Sequence, residues 1–213
     1  ISNGVDPLPD TDDEKVAVFR AENNLNPDDM VVTFFGRMAK EKNVDILIPM
    51  FEQVKQKVPS AKLLLSGDNE YRATLMKKAQ LSWAADSIVF SGRYKRADLQ
   101  TICAVSDVYV YPALSDTQAI VLNEAALGSL PLVLVDQEVN DVASFGVNAL
   151  FATNTPDDLA EKVVKLLQND DMRASFAAES LRIACEFTIR NQAEKVINLY
   201  NQVKSDHIRQ VDG

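Results

Sequence analysis

Four side chains carry the chemistry open to this sequence: Arg37 and Lys42, which can neutralise an anion, and Asp116 and Glu124, which can bind hydroxyls. A guanidinium offers phosphate oxygens a two-pronged fork, and an ammonium offers a compact charge. The two carboxylates bracket a short apolar segment at 119–127, and a wholly helical path between them would separate them by ~12 Å. The first turn of such a helix has backbone N–H groups with no partner inside the helix, and that end attracts phosphate. A carboxylate, an anion-binding helix end and a second carboxylate suit a ligand shaped sugar–diphosphate–ribose. The same residues also allow a plainer reading. Asp116 and Thr117 would then cap a core helix, a lysine elsewhere would pair with Glu124, and Arg37 would sit in a solvated loop beside Glu41.

These residues have to be positioned by regular elements, and the sequence supplies a repeating pair of them. Short apolar runs at 30–35, 61–66, 87–90, 107–111, 131–135 and 149–152 read as strands. The run at 30–35 is continuously apolar enough to be buried on both faces. Between them lie helical stretches at 44–57, 70–81, 96–105 and 119–127, with a weaker one at 139–145. A polar helix at 13–24 precedes the first strand. Helices at 156–168, 171–187 and 189–207 close the chain, the first of them starting at Pro156 with Asp157 and Asp158. Strands alternating with helices specify an α/β, doubly wound, Rossmann-like parallel sheet with C-terminal helices. The expected organisation is a linker or crossover segment at 1–12, a single ligand-binding domain at 13–187, and a C-terminal helix and tail at 188–213.

Ligands of such sheets bind at the carboxyl ends of the strands. The loops expected there hold Gly36, Arg37 and Lys42, then Gly67 and Asp68, then Gly92, Arg93 and Tyr94, then Asp116, Thr117 and Gln118. Glycines, cations and a carboxylate fall on one rim. Tyr94 and Arg93 could flank a base.

Composition narrows the choice of partner. The chain has 213 residues, 46% of them hydrophobic, and a formal charge of −9 from 31 acidic and 22 basic side chains. That balance argues against nucleic acid. His207 is the single histidine, so histidine-based zinc sites and Ser–His–Asp chemistry are not expected. Cys103 and Cys185 lack metal-site or redox-motif spacing and read as buried reduced thiols of a cytosolic protein. No apolar run reaches the ~18 residues that span a bilayer, and no signal sequence is recognisable at the start. The acidic pairs Asp12-Asp13, Asp28-Asp29, Asp157-Asp158 and Asp170-Asp171 fall at turns or helix starts, where capping accounts for them without a metal.

Taken in order, Gly36-Arg37 with Lys42-Asn43, then Gly67-Asp68, then Val89-Phe90-Ser91-Gly92, then Asp116 with Glu124 resemble the C-terminal half of the group-1 retaining glycosyltransferases. The opening Ser2-Asn3-Gly4-Val5-Asp6 is similar to that family's crossover between its two domains. The resemblance implies a Rossmann-like half of a GT-B enzyme that binds a nucleotide sugar. It implies that Arg37 and Lys42 hold the diphosphate, and that Gly36 and Gly67 let backbone turn beside it. Gly92, Arg93 and Tyr94 would frame the base. Asp116 would contact the sugar, with Thr117, Gln118, Ala119 and Ile120 assisting, and Glu124 would bind the ribose. It also implies no metal or other cofactor, a missing N-terminal acceptor domain, and membrane contact only through that half. Ser115-Asp116-Thr117-Gln118-Ala119 is similar to the matching segment of glucosyl-diacylglycerol synthases, which suggests UDP-glucose as donor and a lipid acceptor.

The sequence departs from the family pattern at four places. Asp116 stands where a glutamate is usual, Ala119 where a glycine is, Asn69 where a second glycine is, and Asp136-Gln137-Glu138 where a glycine pair is. Two alternatives therefore stay open: a non-catalytic interaction domain on the same fold, and a nucleotide-sugar epimerase. The chain by itself is expected to transfer no sugar.

Overall fold

A computed structural model describes residues 4–116, 119–137, 141–144 and 146–211, with side chains through 204. Its centre is a six-stranded, wholly parallel sheet in the order β3-β2-β1-β4-β5-β6. The strands are β1 Met30–Phe35, β2 Ala61–Ser66, β3 Ile88–Gly92, β4 Val108–Tyr111, β5 Leu132–Leu134 and β6 Ala149–Phe151. Val31, Val32, Phe34 and Phe35 of β1 are all buried, so both faces of the sheet are covered, and the apolar run is continuous for that reason. Parallel neighbours need a crossover connection, and the helices supply it.

The helices are α1 Asp13–Glu22, α2 Leu47–Lys57, α3 Arg72–Gln80, α4 Leu99–Ala104, α5 Ile120–Leu127, α6 Pro156–Leu167, α7 Asp170–Ala184 and α8 Ile189–Val211. They pack pairwise outside the sheet, α2 on α6, α5 on α7 and α1 on α4. In α2 the buried Leu47, Met50, Phe51 and Val54 recur at helical spacing. The stretch ahead of it is not continuous helix. Single 3₁₀ turns at Lys40–Lys42 and Val44–Ile46 flank Asn43, which takes a left-handed conformation with φ of 54°. Asn43 is held there by its own amide, which donates to Pro112 O at 3.0 Å and Asn154 Oδ1 at 2.8 Å.

The helix starts bear out the capping of the acidic pairs, with some changes of detail. Asp12 accepts from Lys15 N at 2.8 Å to cap α1, and Asp29 accepts from Asn26 N at 2.7 Å to close a turn. For α6 and α7 the caps are the preceding residues, Thr155 and Asn169, and the aspartates occupy the first turn. There they face the positive end of the helix.

Three expectations need correction. The helix expected at 139–145 is not formed at 141–144, the part of it described. There Ser144 N donates to Asn148 Oδ1 at 2.7 Å, and Asn148 Nδ2 donates to Val142 O at 2.9 Å. A buried side-chain amide has taken the backbone groups that a helix would use. The third strand runs on to Gly92, because Gly67 N donates to Gly92 O at 2.7 Å and extends the pairing. Cys103 is buried as expected, but Cys185 is exposed, in a 3₁₀ turn after α7.

The leading segment is packed. Val5 is buried, and its amide donates to Phe187 O at 2.9 Å. None of the described helices is long and apolar enough to cross a membrane.

Candidate functional site

β1 and β4 are neighbours, and the chain winds outward from them in opposite directions, so the crevice of this sheet lies above their carboxyl ends. Glycines make its floor. Gly36 N donates to Ser66 O at 3.0 Å, which carries the β1–β2 pairing past the strand ends. The backbone of Gly67 passes so close that a Cβ there would stand 1.9 Å from Gly36 O. Gly36 and Gly67 have φ of 148° and 144°, which L side chains rarely adopt. Stripped of side chains, these strand ends leave open a cavity of about 570 Å³ lined by Gly36, Arg37, Gly67, Asp68, Asn69, Arg93 and Tyr94.

A second cavity of about 230 Å³ shares Gly36 and Arg37 with the first and continues toward β4 and α5. Lys42, Tyr111, Asp116, Ala119, Ile120 and Val121 are among its walls. Lys42 Nζ donates to a carboxylate oxygen of Asp116 and, at 3.3 Å, to Tyr111 Oη. The Tyr111 hydroxyl in turn donates to the same Asp116 oxygen. Burial and the Asp116 carboxylate push the Tyr111 phenol far above its ordinary pKa, so it remains a donor. The Lys42 and Asp116 side chains are 18% and 17% exposed, shielded enough for their pairing to fix geometry yet open to the cavity.

The cap position of α5 is Ala119, whose own side chain makes no capping bond, and the Asp116 carboxylate engages an ammonium and a phenol. Thr117 and Gln118 lie outside the described residues. Ala119 is buried in the cavity wall, whereas Ile120 is 45% exposed.

Arg37 forms a 2.8 Å ion pair with Glu41, both side chains more than half exposed. A pair so solvated contributes little to stability, and the guanidinium is free to turn toward an anion in either cavity. Arg93 and Tyr94 lie across the larger cavity from it. Tyr94 meets Phe35 edge-on at 6.0 Å, and burial raises its pKa.

Glu124 is placed differently from the other expected residues. It lines neither of these two cavities. Its side chain is 13% exposed and pairs with Arg96 at 2.8 Å. The expected charge partner is thus an arginine, supplied by the 3₁₀ turn Arg96–Asp98 after β3. Burial raises the Glu124 pKa, and the Arg96 charge partly offsets that rise. Among the described residues no cluster of three or more His, Cys, Asp or Glu side chains could hold a metal ion.

Reasoning from sequence missed Tyr111 and Arg96. Tyr111 was read only as the last residue of a strand, although a phenol at that position can bury its ring and still present its hydroxyl to the rim. Nothing in the local pattern marks Arg96, because its link to Glu124 depends on how the strands are ordered.

A sequence profile of the family described as Glycosyl transferases group 1 matches residues 16–183. The chain is 24% identical over 160 residues to an alpha-monoglucosyldiacylglycerol synthase of Acholeplasma laidlawii, an alignment covering 75% of this chain and 40% of the relative. It is 25% identical over 206 residues to a D-inositol 3-phosphate glycosyltransferase of Mycobacteroides abscessus, covering 90% of this chain and 43% of the relative. The chain thus spans less than half the length of either protein. Anabaena HepE in complex with UDP-glucose superposes with a TM-score of 0.78 at 22% identity, over 92% of this chain and 56% of that one. The pneumococcal O-GlcNAc transferase GtfA in complex with UDP and GlcNAc superposes at 0.75 with 21% identity, over 94% of this chain and 38% of that one. At these identities the structures speak for a shared fold.

Proposed function

Since the chain belongs to the family Glycosyl transferases group 1, we propose that its crevice is the donor site of a retaining glycosyltransferase and binds a nucleotide sugar, with UDP-glucose preferred. The observation that carries this reading is the Lys42–Asp116–Tyr111 cluster at the β1–β4 switch point, facing a cavity that continues past Arg37 to Tyr94. In this reading Arg37 and Lys42 hold the diphosphate, and Asp116, fixed by Tyr111, takes the sugar hydroxyls. Thr117, Gln118, Ala119 and Ile120 assist at the sugar, Gly92, Arg93 and Tyr94 frame the base, and Glu124 binds the ribose.

On transfer, the bond from the anomeric carbon to the β-phosphate oxygen breaks, and the acceptor hydroxyl bonds the same face of the sugar. The acceptor's proton goes to the departing phosphate. Lys42 and Arg37 stabilise the charge gathering on that phosphate. Two cations at this point do the work a divalent metal would otherwise do. EDTA is therefore expected to leave nucleotide affinity unchanged in a titration, and a large loss on chelation would count against the assignment.

The acceptor we propose is a lipid, a reading supported by the likeness to the Acholeplasma synthase and by Ser115-Asp116-Thr117-Gln118-Ala119. Its site belongs to an N-terminal domain of the full-length protein, which acts at the cytoplasmic side of a membrane. In favour of such a partner domain, α8 leaves Ile197, Tyr200 and Val203 more than half exposed. Calorimetric titration with UDP, UDP-glucose and other nucleotide sugars tests the donor site. Saturable uridine-nucleotide binding is expected, weakened at least tenfold in Glu124→Ala by loss of a charged hydrogen-bond acceptor. Failure of the full-length protein to bind any nucleotide would overturn the reading in favour of a non-catalytic interaction domain.

A further inference from the structure

Arg96 makes contacts in two directions. Its Nη1 donates to Glu124 Oε1 at 2.8 Å, and its Nη2 donates to the main-chain oxygen of Asp6 and, at 3.5 Å, to that of Pro7. One planar group thus joins the turn after β3, the carboxylate on α5 and the leading segment. That segment is also fastened at its other side, where Val5 N donates to Phe187 O and Gly4 lies against the start of α8. A planar fork of several N–H donors spans two such partners in opposite directions.

We propose that Arg96 is the positioning residue of the ribose end of the site: it aims Glu124 at the ribose and ties that carboxylate to the leading segment, coupling nucleotide binding to the packing of residues 4–7. The inference rests on the donor-site reading and adds to it a residue outside both cavities. Arg96 engages Oε1 of Glu124, and the second carboxylate oxygen receives the ribose hydroxyl. A ligand that fixes Glu124 thereby fixes Arg96 and the carbonyls it holds, and coupling of this kind is reciprocal.

The titratable groups facing Glu124 are Arg96, Tyr94 at the end of β3, Cys103 on α4 and Tyr109 on β4. Burial holds the protons of Tyr94, Cys103 and Tyr109 well above their ordinary range, so Glu124 is the member of this group that titrates on the acid side. Nucleotide affinity needs its ionised form and falls as pH drops through its pKa. Burial raises that pKa and Arg96 lowers it. Removing Arg96 therefore moves the fall in affinity to higher pH.

The test is UDP titration across the acid pH range with the unsubstituted chain, R96A, R96K and E124Q, beside hydrogen exchange of the leading segment with and without UDP. R96A is expected to bind roughly tenfold more weakly at neutral pH, as loss of a charge-assisted contact predicts, with its inflection moved upward. R96K should restore the inflection but not the protection of residues 4–7. E124Q should lose the Glu124 inflection and keep only the slope that UDP's own terminal phosphate, with a second pKa of about 6, imposes on every variant. UDP should slow exchange at residues 4–7 in the unsubstituted chain and not in R96A. If R96A matches the unsubstituted chain in affinity, pH profile and exchange, this inference fails while the donor site stands. If the unsubstituted chain binds no UDP and the full-length protein binds none either, the donor-site reading has failed, and this inference with it.

Discussion

Lys42→Ala is expected to weaken UDP binding by about a hundredfold while leaving the affinity for uridine, which has no phosphates, nearly unchanged. Among the described residues Lys42 is the cation paired with Asp116 in this cavity, and each charge-assisted hydrogen bond it makes is worth ~1.5–3 kcal/mol. The cost also includes Asp116, which keeps Tyr111 but loses the Lys42 charge. Lys42→Arg should recover only part of the loss, since a planar fork cannot reproduce a compact ammonium shared between a carboxylate, a phenol and a phosphate. Calorimetry with UDP and uridine side by side reads the difference. Equal losses for the two ligands would show that Lys42 shapes the pocket and does not hold the diphosphate.

Gly67→Ala is expected to destabilise the whole chain by roughly 3 kcal/mol or more. The new methyl would lie 1.9 Å from Gly36 O and 3.1 Å from the Gly36 carbonyl carbon, and backbone cannot yield as a side-chain tip can. A φ of 144° adds strain of its own. Gly146 is the control. Its φ is 72°, but nothing lies within 4 Å of an added Cβ, so Gly146→Ala should cost only the ~1–2 kcal/mol of a left-handed alanine. Denaturant unfolding of the two variants separates steric collision from backbone preference. Comparable losses in both would mean that the β1 and β2 ends can part without consequence.

How far the sequence could be read depended on whether the cause was local. The strands were legible because burial on both faces makes each of them a continuous apolar run, as at Met30–Phe35 and Ala61–Ser66. The rim of glycines and cations followed from the rule that ligands lie beyond strand ends, and Gly36, Arg37, Gly67, Arg93 and Tyr94 do share a cavity. Asp116 was placed at the mouth of the right helix, but its pairing with Lys42 was not legible, since capping is a local rule and Lys42 comes from 74 positions away. The Arg96–Glu124 pair failed to show for the same reason, its members coming from separate crossover units. At 141–144 the competitor to helix was a single buried amide, Asn148, and helical periodicity contains no term for that.

The central seam of the sheet has a kinetic consequence. β1 joins β4 through contacts such as Val31 N to Asp107 Oδ2, between residues 76 positions apart. Closing so long a loop is entropically costly, and parallel pairings of this range form slowly. The crevice straddles that seam, so its two walls meet only when the two halves of the sheet have docked. A nucleotide recognising both walls binds nothing earlier on the folding path, and at a hundred times its Kd it would hold the closed seam by about 2.7 kcal/mol. Ligand present during refolding should accordingly slow reopening of the docked halves without hastening their encounter.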